Sequence, residues 1–443
     1  MRLKEINIVN FKGFQNKTVY FNGSLNVVIG NNTAGKTTLL KAIQVGLGAY
    51  FQCLSQLPGG AMYRRNFSTL DTFKAFVPEQ RDYITNKENP RISILADFPK
   101  TLSVDEGNAI VSDAPIRWHR EFVKGYTTHT KACAGELMEQ VHAMESRRND
   151  EKLGTVYPLV LSFGARRTAE QQAKMTRKTK ERASRIEKAY KFALHDKVDF
   201  DGAMDWLRHY DKDIRDKKEF EHTREAFFEA IQLAIPALSE LEYDNGEIEA
   251  VVSVTGRTPE RHHFSYMSDG LQAMINIVSE IAHRCIELNG FLGANAIRQT
   301  PGIVLIDEID LYLHPHWQKH VLRDLAAAFP KIQFIVSTHS PFIVQSVNEG
   351  QLISFDDDVL TTGDPSMDGL EDITSDRMGL KQDIRSRKFN EMAKAATSLF
   401  EAIDNGSADK DALREKLTAI EAEFSDNPAY LAMIRMEYKL RTR

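Results

Sequence analysis

The sequence predicts an α/β fold in which a parallel sheet carries a phosphate-binding loop, accompanied by a β-rich first lobe, an inserted helical lobe and a helical C-terminal region. Three observations predict it. A glycine-rich turn separates the apolar run Leu25 to Ile29 from a helical pattern beginning at Lys36. Two later apolar runs, Gly302 to Ile306 and Ile332 to Val336, each end in polar residues suited to phosphate chemistry. Apolar residues recur at three- and four-residue spacings over 166–240 and again beyond 365, the stride of amphipathic helices.

The 443 residues suffice for two or three cores, and a composition of 42% hydrophobic and 27% charged residues is that of soluble globular proteins. A net charge of -5 excludes a molecule-wide electrostatic match to nucleic acid, so any such contact needs a local basic patch. Cys53, Cys133 and Cys285 lie far apart without C-x-x-C spacing. That fits a reducing compartment and buried fillers rather than a disulfide framework. The alternating start through Leu3, Ile6 and Ile8 reads as a strand, not a signal peptide. No run reaches the ~18 apolar residues that cross a bilayer as a helix, so cytoplasmic location without membrane contact is the expectation.

Four parts follow in order. Residues 1–165 begin with strands at Leu3 to Phe11, Val19 to Phe21 and Leu25 to Ile29 and a helix at Lys36 to Val45, then continue as a β-rich lobe with strands at Arg91 to Phe98, Ile116 to Val123 and Tyr157 to Phe163. Residues 166–240 read as the helical insertion, with apolar faces from Tyr190, Leu194, Trp206, Leu207, Phe227, Ile231 and Leu238. Residues 241–355 return to strand and helix alternation, the pattern of a parallel sheet with crossover helices. Residues 356–443 read as helices, Phe389 to Ile403 and Leu413 to Phe424, separated at Asn405-Gly406. Their apolar faces either pack on the head or dock a partner.

The most specific motif is Gly30-Asn31-Asn32-Thr33-Ala34-Gly35-Lys36-Thr37, which matches G-x-x-x-x-G-K-[ST] between a strand and a helix. Backbone amides over Asn31, Asn32, Thr33, Ala34 and Gly35 close around phosphate oxygens at a helix N-terminus, and Thr38 belongs to the same nucleotide-binding set. Lys36 is expected to reach the β- and γ-phosphates and Thr37 to hold Mg²⁺. This loop alone leaves GTPases, helicases, kinases and other heads open. The run Gly302 to Ile306 ends in Asp307-Glu308, with Asp307 expected in the Mg²⁺ shell and Glu308 as the base that polarises the attacking water.

The second run ends in Ser337-Thr338-His339-Ser340-Pro341, placing His339 where it can donate to the γ-phosphate or the water. His314 and His316 lack a third ligand at metal spacing. Tyr266-Met267-Ser268-Asp269-Gly270-Leu271-Gln272 opens another helix, so the Ser268 hydroxyl and Gly270 backbone make a second phosphate site. With one phosphate loop per chain, that site completes the pocket of a second copy, which predicts a homodimer or higher homo-oligomer.

With these residues and Asn10-Phe11-Lys12-Gly13-Phe14 in view, the sequence resembles the SMC, RecF and OLD branch of ABC-type ATPases over nearly the whole head. The resemblance implies an ABC-type head using ATP and Mg²⁺, with Lys12 near the nucleotide, Ser268 and Gly270 reaching across the dimer, Glu308 as catalytic base, and DNA-linked work. The compact arms and single head look most like the ATPases of bacterial anti-phage defence modules of the Septu type, which implies an HNH-type nuclease partner. One departure is Phe163-Gly164-Ala165-Arg166-Arg167, where many heads have a metal-reaching glutamine.

Two roles stay open at this point: a regulatory sensor and scaffold holding an effector, and a RecF-like repair ATPase that clamps DNA in its ATP-bound dimer. The basic stretch from Arg166 to Lys188 could follow a nucleic-acid backbone, though a charge run is also an ordinary solvated face and no interleaved aromatics offer stacking. The acids Asp356, Asp357, Asp358 and Asp364 could suggest an appended nuclease, but the sequence after them reads helical, so any cutting is expected of a partner.

Overall fold

A computed structural model describes residues 1–77, 82–85, 88–105, 108–128, 130–150, 155–165, 183–196, 200–244, 246–253, 256, 258–356, 359–360, 362–380, 386–405 and 409–442. Contacts divide them into a head of residues 1–373 and 377–379 and a small unit of 374–376 and 380–443.

In the head, β1 (Arg2–Phe11), β2 (Phe14–Tyr20) and β3 (Leu25–Ile29) lead into α1 (Lys36–Cys53). Next come the pair β4 (Lys74–Val77) and β5 (Asp82–Thr85), the long strands β6 (Arg91–Asp105) and β7 (Asn108–Val123), β8 (Tyr126–Thr127), α2 (Lys131–Asp150) and β9 (Leu159–Phe163). Helices α3 (Arg185–Tyr190), α4 (Phe200–Arg215) and α5 (Thr223–Ala234) precede the strands β10 (Leu238–Asp244), β11 (Glu247–Val252) and β12 (Glu260–His263). The head closes with α6 (Asp269–Asn289), α7 (Ala296–Gln299), β13 (Gly302–Ile306), α8 (Pro315–Gln318), α9 (Val321–Ala328), β14 (Ile332–Ser337), α10 (Pro341–Gln345), β15 (Leu352–Ser354) and α11 (Leu370–Asp372).

The central sheet has the order β15-β3-β14-β13-β9, and every pair in it is parallel. Its strands β3, β9, β13 and β14 are buried along their whole length, which is why they read as unbroken apolar runs rather than alternating ones. A second sheet, β2-β1-β6-β7-β8, is antiparallel. Helix α1 is apolar almost all round and, Lys41 apart, buried from Leu39 to Phe51. Gly46 and Gly48 permit this: a Cβ on Gly46 would stand 2.4 Å from Ile94 Cδ1, and one on Gly48 2.5 Å from Arg120 Nη1. Arg120 is itself fully buried and donates to Val45 O, Arg65 O and Asn66 Oδ1 at 2.7–2.8 Å. Burial, aided by the Arg64 charge, lowers its pKa to about 9.

The structure departs from the sequence reading at several points. The β-rich lobe contains the 20-residue α2, whose inward face is Ala134, Leu137, Val141 and Met144. Leu238 opens a strand instead of closing a helical face, because β10 pairs with β11 to form an antiparallel sheet with β12. The described part of 166–240 shares the head's hydrophobic core through Tyr190, Trp206 and Phe227 rather than standing as a lobe of its own. The boundary expected at 356 falls near 380, since Ile373 is buried in the head core and the buried Arg377 pairs with Asp368 at 2.5 Å. Only Cys285 is fully buried; Cys53 and Cys133 are partly exposed.

The small unit holds α12 (Arg387–Asp404), α13 (Lys410–Glu423) and α14 (Pro428–Arg441) around a core of Met392, Leu399, Leu413, Ile420, Leu431 and Ile434. Its third helix had no counterpart in the sequence reading. Met433, Met436 and Leu440 on α14 are exposed at 65%, 66% and 56%, on the side away from Leu431 and Ile434.

Candidate nucleotide site

The site lies at the C-terminal ends of the parallel strands, where open α/β sheets bind ligands. The turn after β3 needs positive φ at Gly30 (148°), Thr33 (76°) and Gly35 (108°), and glycine supplies two of these without steric cost. Asn31, Asn32 and Thr33 are exposed at the tip, Ala34 is half-buried with its N–H on Asn31 O at 3.1 Å, and Thr38 is half-buried on the first turn of α1. Phe14 from the first hairpin covers the loop, so a Cβ on Gly35 would fall 2.5 Å from its ring.

Lys36 is buried and donates to Gly30 O at 2.7 Å and Asn31 O at 3.1 Å. Burial lowers its pKa below the ordinary lysine value, against the opposing pull of the carboxylates of Asp356, Asp307, Glu308 and Asp310. Asp356, at the end of β15, accepts from Asn31 N–H at 2.9 Å. Asp364 instead caps a short turn at Ser366, and Asp357 and Asp358 lie outside the described residues.

Thr37 Oγ1 donates to Asp307 Oδ2 at 2.9 Å, joining the first turn of α1 to the end of β13. A hydroxyl and a carboxylate oxygen this close form an oxygen donor pair of the kind Mg²⁺ takes, so these residues fit the ion. The other oxygen, Asp307 Oδ1, accepts from Ser337 Oγ at 2.5 Å, and Ser337 Oγ accepts from Glu308 N–H at 2.8 Å. Glu308 sits at φ 51°, a left-handed conformation uncommon for glutamate and concentrated at functional sites. His339 is exposed two residues beyond the end of β14.

Lys12 adopts φ 48° and pairs with the buried Asp71 at 3.0 Å. Burial pushes the Asp71 carboxyl up, but the Ser68 backbone N–H and Lys12 outweigh it and hold the pKa below the usual aspartate value. Ser268 is the N-cap of α6, is exposed and makes no side-chain capping bond. Gly270 is buried against the Tyr312 carbonyl, where a Cβ would stand 2.5 Å away. The structure thus brings Lys36, Thr37, Asp307 and Glu308 together and leaves Ser268 facing outward.

Residues 166–182 of the basic stretch lie outside the described residues, and Arg185 is engaged by Glu219 at 3.0 Å and Glu287 at 3.4 Å, so it is not free for a phosphate. Among the described residues no group of His, Cys, Asp and Glu forms a further metal site. Nor is any helix among them long and apolar enough to cross a membrane. The sequence reading missed Ser337, although it directly precedes the Thr338-His339 motif, and missed the ties of Asp356 and Phe14 to the loop.

Two protein-family models match consecutive stretches. "AAA ATPase domain" matches residues 1–152, and "AAA domain, putative AbiEii toxin, Type IV TA system" matches 149–345. Both stretches are thus similar to AAA ATPase domains, in keeping with the parallel sheet, its phosphate-binding turn and the Thr37–Asp307 pair. The chain is also similar to the "Septu protein PtuA" of Bacillus thuringiensis, 32% identical over 162 residues, 33% of this chain and 39% of that one. It is also similar to the "Retron Vc95 probable ATPase" of Vibrio cholerae serotype O1 biovar El Tor, 48% identical over 86 residues, 19% of this chain and 16% of that one. The "Retron Ec83 probable ATPase" of Escherichia coli is 43% identical over 82 residues, 18% and 15% of the two chains. Each match spans well under half of the relative's length.

Proposed function

We propose that this chain binds Mg-ATP and hydrolyses it slowly in a pocket completed by a second copy, acting as sensor and scaffold of a bacterial anti-phage defence system and regulating a partner nuclease of the HNH type. The hydrogen-bonded series Thr37, Asp307, Ser337 and Glu308 beside Lys36 carries the reading. Lys36 exchanges its bonds to the loop carbonyls for phosphate oxygens. Thr37 and Asp307 would hold Mg²⁺, which when bound neutralises charge on the β- and γ-phosphates. Glu308 orients the attacking water and receives its proton as the new P–O bond forms and the β–γ bridging bond breaks, and His339 donates to the γ-phosphate. Ser268, with its hydroxyl uncommitted to a cap, supports completion of the site by a second chain.

The similarity to Septu and retron ATPases supports the defence role. The exposed Met433, Met436 and Leu440 support the small C-terminal unit as the dock for the effector. The alternative is a RecF-like repair ATPase that clamps DNA in its ATP-bound dimer. A 47% identical stretch of 45 residues shared with the "DNA replication and repair protein RecF" of Limosilactobacillus reuteri favours it.

The test is the solution mass of Glu308→Gln with and without Mg-ATP. A rise with nucleotide is expected, because the variant keeps binding while hydrolysis stalls; a monomer in both conditions overturns the composite pocket. Deleting 380–443 separates the two roles: loss of nuclease capture with intact ATPase supports the scaffold, and loss of DNA binding supports the clamp. Under the clamp reading, charge reversal at Lys178, Lys180 and Arg182 weakens DNA retention at low salt.

A further inference from the structure

Asp310, two residues beyond Glu308, lies on the turn that follows β13, and its Oδ1 accepts from Thr338 Oγ1 at 2.6 Å and from the His339 N–H at 3.4 Å. The Thr338 hydroxyl also accepts from Ser340 N–H at 2.9 Å. A hydroxyl has one proton, so with Ser340 donating to its oxygen that proton is committed to the Asp310 carboxylate. Thr338 is 1% exposed and its own N–H reaches Val28 O at 3.3 Å, so the segment is anchored to the sheet on its other side. A second tie runs in parallel. Ser340 Oγ donates to Gln318 Oε1 at 2.6 Å, while Gln318 Nε2 donates to Leu313 O at 2.9 Å and Asp310 O at 3.3 Å.

We infer that Asp310 is a positioning residue: it pins the His339 segment to the turn bearing Glu308, so that base and histidine approach the γ-phosphate in one fixed relation. This rests on the proposed ATP hydrolysis. Its contribution is made through His339, by accepting two hydrogen bonds, and not by touching nucleotide. A neutral amide oxygen can accept the same two bonds, and so asparagine substitutes for it where alanine does not.

The test is steady-state ATP hydrolysis by the full chain carrying Asp310→Ala, Asp310→Asn, Thr338→Val, His339→Ala, or Asp310→Ala with His339→Ala. Asp310→Ala and Thr338→Val are expected to lower kcat about ten- to a hundredfold with KM for ATP within about twofold, the scale of a small misplacement of a reacting group. Asp310→Asn recovers most of the rate, and Asp310→Ala costs nothing further once His339 is alanine. Additive losses in the double variant, or Asp310→Asn as slow as Asp310→Ala, overturn the inference. Hydrogen exchange reads the pin without turnover: Asp310→Ala should speed exchange over 338–344 and leave β3 and β13 unchanged, and unaltered exchange there overturns it. A wild-type chain that binds Mg-ATP without hydrolysing it removes the proposed reaction while exchange still decides whether the pin exists.

Discussion

The two turns of this head that open α1 and α6 are finished to different degrees. Around Gly30 to Thr37 three polar groups are engaged within the chain: Lys36 on loop carbonyls, Asn31 N–H on Asp356, Thr37 on Asp307. At the start of α6 the apolar side is equally settled, with Met267 and Gly270 buried, yet Ser268 is exposed without a capping bond and Tyr266 is 79% exposed. A serine N-cap ordinarily accepts from the following helical amides, and forgoing that bond costs about 1 kcal/mol of helix stability. A well-packed base beneath uncommitted donors is what a half-site for another molecule looks like. Under the proposed function, the first turn is the catalytic half of a pocket and the second is the recognition half offered to another copy.

Four substitutions or deletions sharpen or break that contrast, from the largest effect to the smallest. Lys36→Ala should reduce Mg-ATP affinity by at least about a hundredfold, measured by calorimetry, because charge-assisted bonds to phosphate contribute roughly 1.5–3 kcal/mol each. Ser268→Arg should abolish turnover while leaving ATP binding to the single chain within about twofold of wild type, since the open half serves the other copy. Mixing those two inactive chains should restore turnover, because one of the two pockets in the mixed pair is intact. No recovery would mean that the two turns belong to the same pocket, and the contrast would dissolve.

Asp71→Asn should cost on the order of 2 kcal/mol at neutral pH in denaturant unfolding, as the Lys12 pair and the Ser68 bonds are weakened. Because the folded-state pKa of Asp71 lies below its unfolded value, the carboxylate's contribution is full above the ordinary aspartate range and is lost as pH falls through the folded pKa. The gap between wild type and variant should therefore narrow on acidification; a constant gap would show that Asp71 acts by packing alone. Deleting 380–443 should have the smallest effect on the head, leaving ATPase rate within about twofold, since that unit has its own core.

What the sequence disclosed was contiguous. The phosphate loop, the Asp307-Glu308 strand end and the Thr338-His339 strand end are short runs whose apolar approach strands announce themselves, because a parallel strand covered on both faces has no alternation to lose. Links across the sheet were not readable: Ser337 to Asp307 and Thr338 to Asp310 join residues 30 and 28 positions apart, set by which strands lie side by side. Helix α2 did carry a signal in Ala134, Leu137, Val141 and Met144, but charged neighbours such as Glu136 and Glu139 diluted it. Strand β10 was hidden because Leu238 continues the period of α5. The outer limit of the head was misplaced because Ile373 and Arg377 sit on a helical segment, 370–377, too short to show an apolar period.

The bond from Asn31 to Asp356 spans 325 positions of chain, and β3 lies between β14 and β15, both made late. During synthesis the phosphate loop leaves the ribosome before these two strands and then waits. At about 5–20 residues per second that wait is on the order of tens of seconds, during which β3 lacks both of its sheet neighbours. The strands and the carboxylate that hold the loop are therefore all in place only when nearly the whole head exists. A message broken before the codons for β15 would yield a chain carrying the phosphate-loop motif without the complete sheet that shapes it.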